Sequence, residues 1–360
     1  MLNPKPTKKS FHALPIIVLC SSTICSFYIC LVCFHQINLQ LVSKLLVSDV
    51  PSPRHHRIIS PLEPRTQPVH VSDIPSINIP SQCDHRRIAD LEWTHFPRPM
   101  SFKRGECECT PVRFFAILSM QRSGSGWFES LLNSHVNVSS NGEIFNQRRS
   151  RSSSFSSITK ILNQVYNLDW MSSGSKKECT AAVGLKWMLN QGIMKYHMEI
   201  SEYFKKRGVY VIFLFRRNLL RRHISLLANS YDGKFKPLNG KHKAHVNSPK
   251  EASLLARFKP RINTTSLIRE LEKTQRSGIR AVKLFKDTNN IMLFYEDLVK
   301  NYTWKLQDVM KFLKLPEKEL KSQQVKIHTE VLTEQVMNWE KVCRTLKGSR
   351  FETFLYSNYL

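Results

Sequence analysis

Residues 114–132 of this 360-residue chain, FFAILSMQRSGSGWFESLL, constrain its fold more than any other stretch. An apolar run suited to a buried strand breaks into QRSGSG, and an amphipathic segment starts at once. A turn of small residues lets backbone N–H groups converge on an anion, and a helix N-terminus adds partial positive charge there. Strand, glycine–serine turn and helix in that order form a device for holding phosphate. The order also commits the architecture, because strands alternating with helices build a parallel sheet covered on both faces.

The rest of the globular part continues the alternation. Beyond 114–120, apolar runs predict strands over 182–187, 209–215 and 290–295, and helices are expected over 126–133, 194–206, 219–229, 265–277 and 303–313. The fold expected for residues 106–360 is therefore α/β, a three-layer P-loop-like fold around a central parallel sheet. Residues 231–249, YDGKFKPLNGKHKAHVNSP, read as a long exposed loop, and loops of that length in compact domains commonly serve as lids.

The N-terminal third differs in kind. Residues 14–34 carry no charge over 21 positions, a length that spans a bilayer, and Lys5, Lys8 and Lys9 precede them. A transmembrane signal anchor over 14–34 is the expectation, with 1–13 as a cytoplasmic tail and a cleaved signal peptide ranked second. Seven prolines between Pro51 and Pro80 mark 35–105 as an extended, flexible stem. The catalytic part then faces a lumen, in a single-pass type II arrangement of the Golgi kind. Cys83, Cys107, Cys109, Cys179 and Cys343 lie outside the span, enough for two disulfides with one thiol over, in a pairing the sequence leaves open. Sequons at Asn137, Asn263 and Asn301 suit a glycoprotein of the same compartment.

Charge narrows the partners. Against 28 Asp+Glu the chain has 54 Lys+Arg, a formal +26, so its partners are anionic. The basic residues are spread from end to end without a nucleic-acid-binding motif, which argues against nucleic acid. A nucleotide triphosphatase or kinase would need a Gly-Lys-Ser/Thr turn and an acidic strand end for magnesium. Here Trp127 follows Gly126 directly, and the strand VYVIFLF ends in Arg216 and Arg217. These residues favour a phosphate held by arginine, without a metal.

With QRSGSGW after one strand and RNLLRRHIS after another, the chain resembles the PAPS-dependent sulfotransferases, which use 3′-phosphoadenosine 5′-phosphosulfate. It is most similar in character to the nodulation-type carbohydrate enzymes and their membrane-anchored plant relatives. The resemblance covers about 114–354 and includes MLFYEDLVKN and LQDVMKFLKL. It implies that Arg122, Ser123, Gly124, Ser125 and Gly126 hold the 5′-phosphosulfate, and that Arg217 and Ser225, eight residues apart, hold the 3′-phosphate. Arg122 replaces the commoner lysine as stabiliser of the leaving phosphate. Trp127 adjoins the turn as a cofactor contact, although core packing is its commoner role. Lys326 and Thr329 belong to a C-terminal segment that closes over the nucleotide in related enzymes.

Transfer to a hydroxyl also needs a base within hydrogen-bond reach. Glu143, in SSNGEIFNQ, stands where related carbohydrate sulfotransferases carry a glutamate base, and Lys186 ends a strand from which it could reach the sulfonate. The reading is sulfonate transfer to a carbohydrate or glycoconjugate hydroxyl. The alternatives are a P-loop hydrolase or kinase, and a non-catalytic, membrane-tethered binder of anionic glycans.

Overall fold

The computed structural model describes residues 93–146, 154–170 and 178–356. Of two compact units, Met1–Asp73 and Ile74–Leu360, the described residues all belong to the second. The expected cytoplasmic tail, the span at 14–34 and all but the end of the stem lie outside them. No helix among the described residues is long and apolar enough to cross a membrane.

Strand β1 (Arg113–Ser119) leads through the glycine–serine turn into α1 (Ser125–Ser134), and a short β2 (Val138–Ser140) follows. Helix α2 (Phe155–Tyr166) precedes β3 (Ala182–Met188), and α3 (His197–Lys206) precedes β4 (Tyr210–Phe215). After β4 come α4 (Leu219–Phe235), α5 (Pro249–Ala256) and α6 (Thr264–Leu284). Strand β5 (Asn290–Phe294), α7 (Tyr295–Lys300), α8 (Tyr302–Phe312) and α9 (Trp339–Leu346) complete the order.

The five strands pair in the order β2-β3-β1-β4-β5, and every pairing is parallel. Strands β1, β3 and β4 are buried at every residue, as a sheet covered on both faces requires. On one face Phe114, Ala116 and Leu118 meet Leu162, Phe204 and Phe285; on the other Phe115 and Ile117 meet Phe128, Leu131 and Val309. Neighbours along β1 thus supply opposite cores, which is the three-layer fold expected. From β1 the chain moves toward β2 and β3, whereas from β4 it moves the other way to β5. The crevice for a ligand opens at such a switch, outside the C-terminal ends of β1 and β4.

Several boundaries differ from expectation through tertiary contacts. Helix α4 continues past residue 229 to Phe235, because Tyr231 stacks on Phe258 with ring centroids 3.7 Å apart. The loop shortens accordingly. Helix α6 runs through Gly278, which could have ended it, so that Ala281 and the following Phe285 reach the sheet core. Cys107 and Cys179 form a disulfide, Cys109 is also disulfide-bonded, and Cys343 is the free thiol among the described residues.

Candidate active site

The turn after β1 has unusual backbone. Arg122 sits at φ 65° and Gly124 at φ 82°, both in the left-handed region. For arginine that conformation is sterically costly and marks a site the surroundings over-determine. At Gly124 a side chain is excluded twice, since a Cβ would also stand 2.2 Å from Cδ2 of Tyr295. Gly124 caps α1, and the first intrahelical bond runs from the Phe128 N–H to its carbonyl over 3.0 Å. The amides of Ser125, Gly126 and Trp127 therefore lack intrahelical acceptors, as first-turn donors do. Beneath them the Ser123 hydroxyl is buried with no hydrogen-bond partner.

The turn forms one wall of a cavity of about 560 Å³. Arg122, Gly124, Ser125, Gly126 and Trp127 line it, together with Glu143, Ser225 and Lys326. Strands far apart in sequence thus bring together the phosphate turn, the expected base and the expected serine. The closest link is direct: Arg122 Nε donates to Ser225 Oγ over 2.9 Å, and Nη1 donates to the Ala244 carbonyl over 2.9 Å and to Asn229 Oδ1 over 3.3 Å. Trp127 meets Tyr295 edge-on at 6.0 Å and Tyr302 at 6.1 Å, so aromatic packing accounts for most of its position.

Four expected residues are off the wall, among them Ser123, which is fully buried in the turn. Arg217 is absent from the cavity wall; its guanidinium makes a two-pronged pair with Asp297 at 2.8 and 2.9 Å, on an exposed face. The reason lies in α7. Glu296 accepts from the backbone N–H of Arg217 and of Asn218, each over 2.9 Å, which aims the Arg217 side chain at the adjacent Asp297. That pairing raises the Arg217 pKa and lowers that of Asp297. Arg216 lines the cavity in its place, over the Tyr295 ring at 5.1 Å. Lys186 is likewise not on the wall. Its ammonium lies 2.9 Å from Glu129 and 3.4 Å from Glu143, buried behind Glu143 and off the cavity wall. Thr329 is exposed and off the wall, and its neighbour His328 lines it.

Glu143 is held from two sides. Besides Lys186, Gln191 Nε2 donates to its Oε2 over 2.7 Å. Glu129, on α1, accepts from the Ser140 hydroxyl over 2.6 Å and from the Gly142 N–H over 2.9 Å, so it anchors the loop that carries Glu143. The sequence reading missed Glu129 and Gln191 and gave Arg216 no role of its own at the strand end. For Glu129 the signal was a carboxylate on the buried face of an amphipathic helix, which has to be paired.

The cavity is strongly electropositive. Burial, then Arg216, lowers the Arg122 pKa to about 10, against an opposing pull from Asp232. Burial, then Arg216 and Arg221, lowers that of Lys326. Burial, Arg122 and Arg216 bring His328 down to about 4. Cations that discourage one another's charge in one crevice make a field suited to a polyanion.

The model of the sulfotransferase domain family matches residues 114–354. Solved structures resemble the chain weakly. Mouse sulfotransferase SULT7A1, complexed with PAP, is 11% identical with a TM-score of 0.29 over 57% of this chain and 60% of its own, less than two thirds of its length. A sulfotransferase from Alicyclobacillus acidocaldarius is 11% identical with a TM-score of 0.33 over 68% of this chain and 96% of its own. The sulfotransferase domain of the Synechococcus PCC 7002 olefin synthase is 15% identical with a TM-score of 0.29, over 58% of this chain and 74% of its own. No curated protein matches in sequence. With the family model spanning the strand–turn–helix device, the cavity and the C-terminal segment, the chain belongs to the sulfotransferase family.

Proposed function

We propose that this chain transfers a sulfonate group from PAPS to a hydroxyl of a carbohydrate acceptor, as a lumenal, membrane-anchored enzyme of the Golgi type. The observation that carries the reading is that the phosphate turn, Glu143 and Ser225 line one cavity, with Arg122 bonded to Ser225. The residues present fit the donor: a buried, unpartnered Ser123 hydroxyl lies under the turn, and Arg216, Arg221 and Lys326 lie across from it. PAPS supplies an activated sulfonate on a phosphate leaving group. The turn amides and Ser123 hold its 5′ end, and Arg216, Ser225 and Lys326 hold the 3′-phosphate, the role expected of Arg217.

Glu143 takes the proton of the attacking hydroxyl, oriented by Gln191 and Lys186. Arg122 opposes the charge that develops on the departing phosphate, provided it exchanges its Ser225 and Ala244 partners for that oxygen. Disulfides at Cys107–Cys179 and Cys109 support an oxidising compartment. The test is calorimetry with 3′,5′-ADP in the absence of magnesium, then transfer of labelled sulfonate to cell-wall, glycolipid and peptide acceptors. Glu143→Gln should abolish transfer while 3′,5′-ADP still binds. Turnover near normal in that variant excludes Glu143 as base, and binding without transfer to any acceptor favours a non-catalytic binder.

A further inference from the structure

Arg122 leaves a chemical gap. A guanidinium keeps its proton under all working conditions, so it can oppose charge on the departing oxygen but cannot protonate it. A group suited to that task lies on an element outside both phosphate motifs.

Residues 241–246 run past the turn as a strap. An antiparallel bridge joins Val246 to Val325, with the Val325 N–H donating to the Val246 carbonyl over 2.9 Å. Val246 is buried with Leu238, Ala252 and Leu255, and Arg122 holds the Ala244 carbonyl. The strap is therefore fixed rather than loose. His245 lies directly on the turn: a Cβ added to Gly126 would stand 2.2 Å from His245 Nε2. It lines the cavity beside the first-turn amides of α1.

We propose that His245 is a further catalytic residue, contacting the leaving phosphate and delivering the proton that Arg122 cannot supply. This rests on the donor reading above. The acceptor oxygen forms a bond to sulfur and gives its proton to Glu143. The bond from sulfur to the bridging phosphate oxygen breaks, and that oxygen keeps the electron pair and takes the proton from the His245 imidazolium. Glu143 then releases its proton to solvent, and His245 regains one.

The surrounding charges support proton uptake with the donor. Burial first, then Arg122 in the turn and Lys186 on β3, bring the His245 pKa down to about 4. Arg216 and Arg221 line the same cavity from the end of β4 and from α4. Lys326 and His328 do so from the C-terminal segment, and His242 from the strap itself. Glu143 and Asp232 are the nearby carboxylates, Asp232 acting on Arg122 and His242. Phosphate charge beside Arg122 offsets the repulsion that adds to burial and sets an anion next to the ring, so the His245 pKa rises on binding. A pKa that is higher in the bound state means protons are taken up, and donor affinity falls as pH rises through that bound value. His328 shares the depressed pKa, but the atoms nearest a Gly126 Cβ are those of His245.

Calorimetry of 3′,5′-ADP binding to the full chain, in two buffers of different ionisation enthalpy at pH 7, reads the protons taken up. The expected result is uptake by the unaltered chain that is reduced in His245→Gln and retained in His223→Gln, whose side chain is off the cavity wall. Transfer of labelled sulfonate should fall about 10²-fold in His245→Ala, with partial rescue by added imidazole. Equal uptake by the unaltered chain and His245→Gln, or unchanged transfer in the variant, overturns the proposal and leaves the donor reading standing. Failure of the unaltered chain to bind 3′,5′-ADP overturns both.

Discussion

Replacing Lys186 with methionine tests whether this residue orients the base or merely ends a strand. Its ammonium lies 2.9 Å from one Glu129 oxygen and 3.4 Å from Glu143, and its side chain and that of Glu129 are only 7% and 10% exposed. Lys186→Met leaves the Glu129 carboxylate buried opposite a second carboxylate, with the Ser140 hydroxyl and Gly142 amide as its remaining partners. Breaking a buried pair from one side costs about 3–5 kcal/mol. For a domain of this size each kcal/mol moves the melting temperature by about 2–4 °C, so the drop should be on the order of 10 °C. Glu129→Gln made together with Lys186→Met removes the stranded charge and should recover part of the loss. Scanning calorimetry on the full chain measures both. A shift below about 1 °C for Lys186→Met, the range of a solvated surface side chain, refutes the buried-pair argument. Transfer should also fall while 3′,5′-ADP affinity holds; a large loss of that affinity would mean that Lys186 reaches the donor directly.

Two further predictions bear on the turn and its opposite wall. Gly124→Ala should abolish 3′,5′-ADP binding, because the residue needs φ 82° and its Cβ would collide with Tyr295; calorimetric affinity near normal would show that the turn can move. Arg216→Ala should weaken that binding by at least about tenfold, as expected for a lost charged hydrogen bond. Arg217→Ala should leave binding unchanged and cost about 0.2–1 kcal/mol of stability, the range of an exposed ion pair; the opposite ranking by the same titration would restore Arg217 to the site.

The strand–turn–helix unit at 113–134 and the offset that carries Ser225 to the same cavity were readable because each is local. A small-residue turn between strand and helix works through its own backbone, and Ser225 follows its strand at a fixed helical distance. Glu143 was singled out only through resemblance, and the structure places it on the cavity wall. The choice between Arg216 and Arg217 was not legible, since it depends on where Glu296 and Asp297, some 80 residues later, grip the backbone. The contacts of Lys186 were not legible for the same reason: its partner Glu129 belongs to another element, and a strand lysine looks alike whether it faces a ligand or a buried carboxylate. The histidine strap lay inside a segment readable only as a long loop, because loops carry no periodicity to show which side chains face inward.

Periodicity and turn chemistry, properties of neighbours along the chain, thus determined by themselves the layered α/β fold and the anion-holding turn at its centre. Which cations surround that turn, which carboxylate anchors the Glu143 loop and which histidine lies on Gly126 were decided only by tertiary structure. Those contacts join strand ends and loops separated by 100 residues or more in cases such as Arg122 with Ser225 and Ala244, and no local pattern encodes the orientation of a side chain across such a gap.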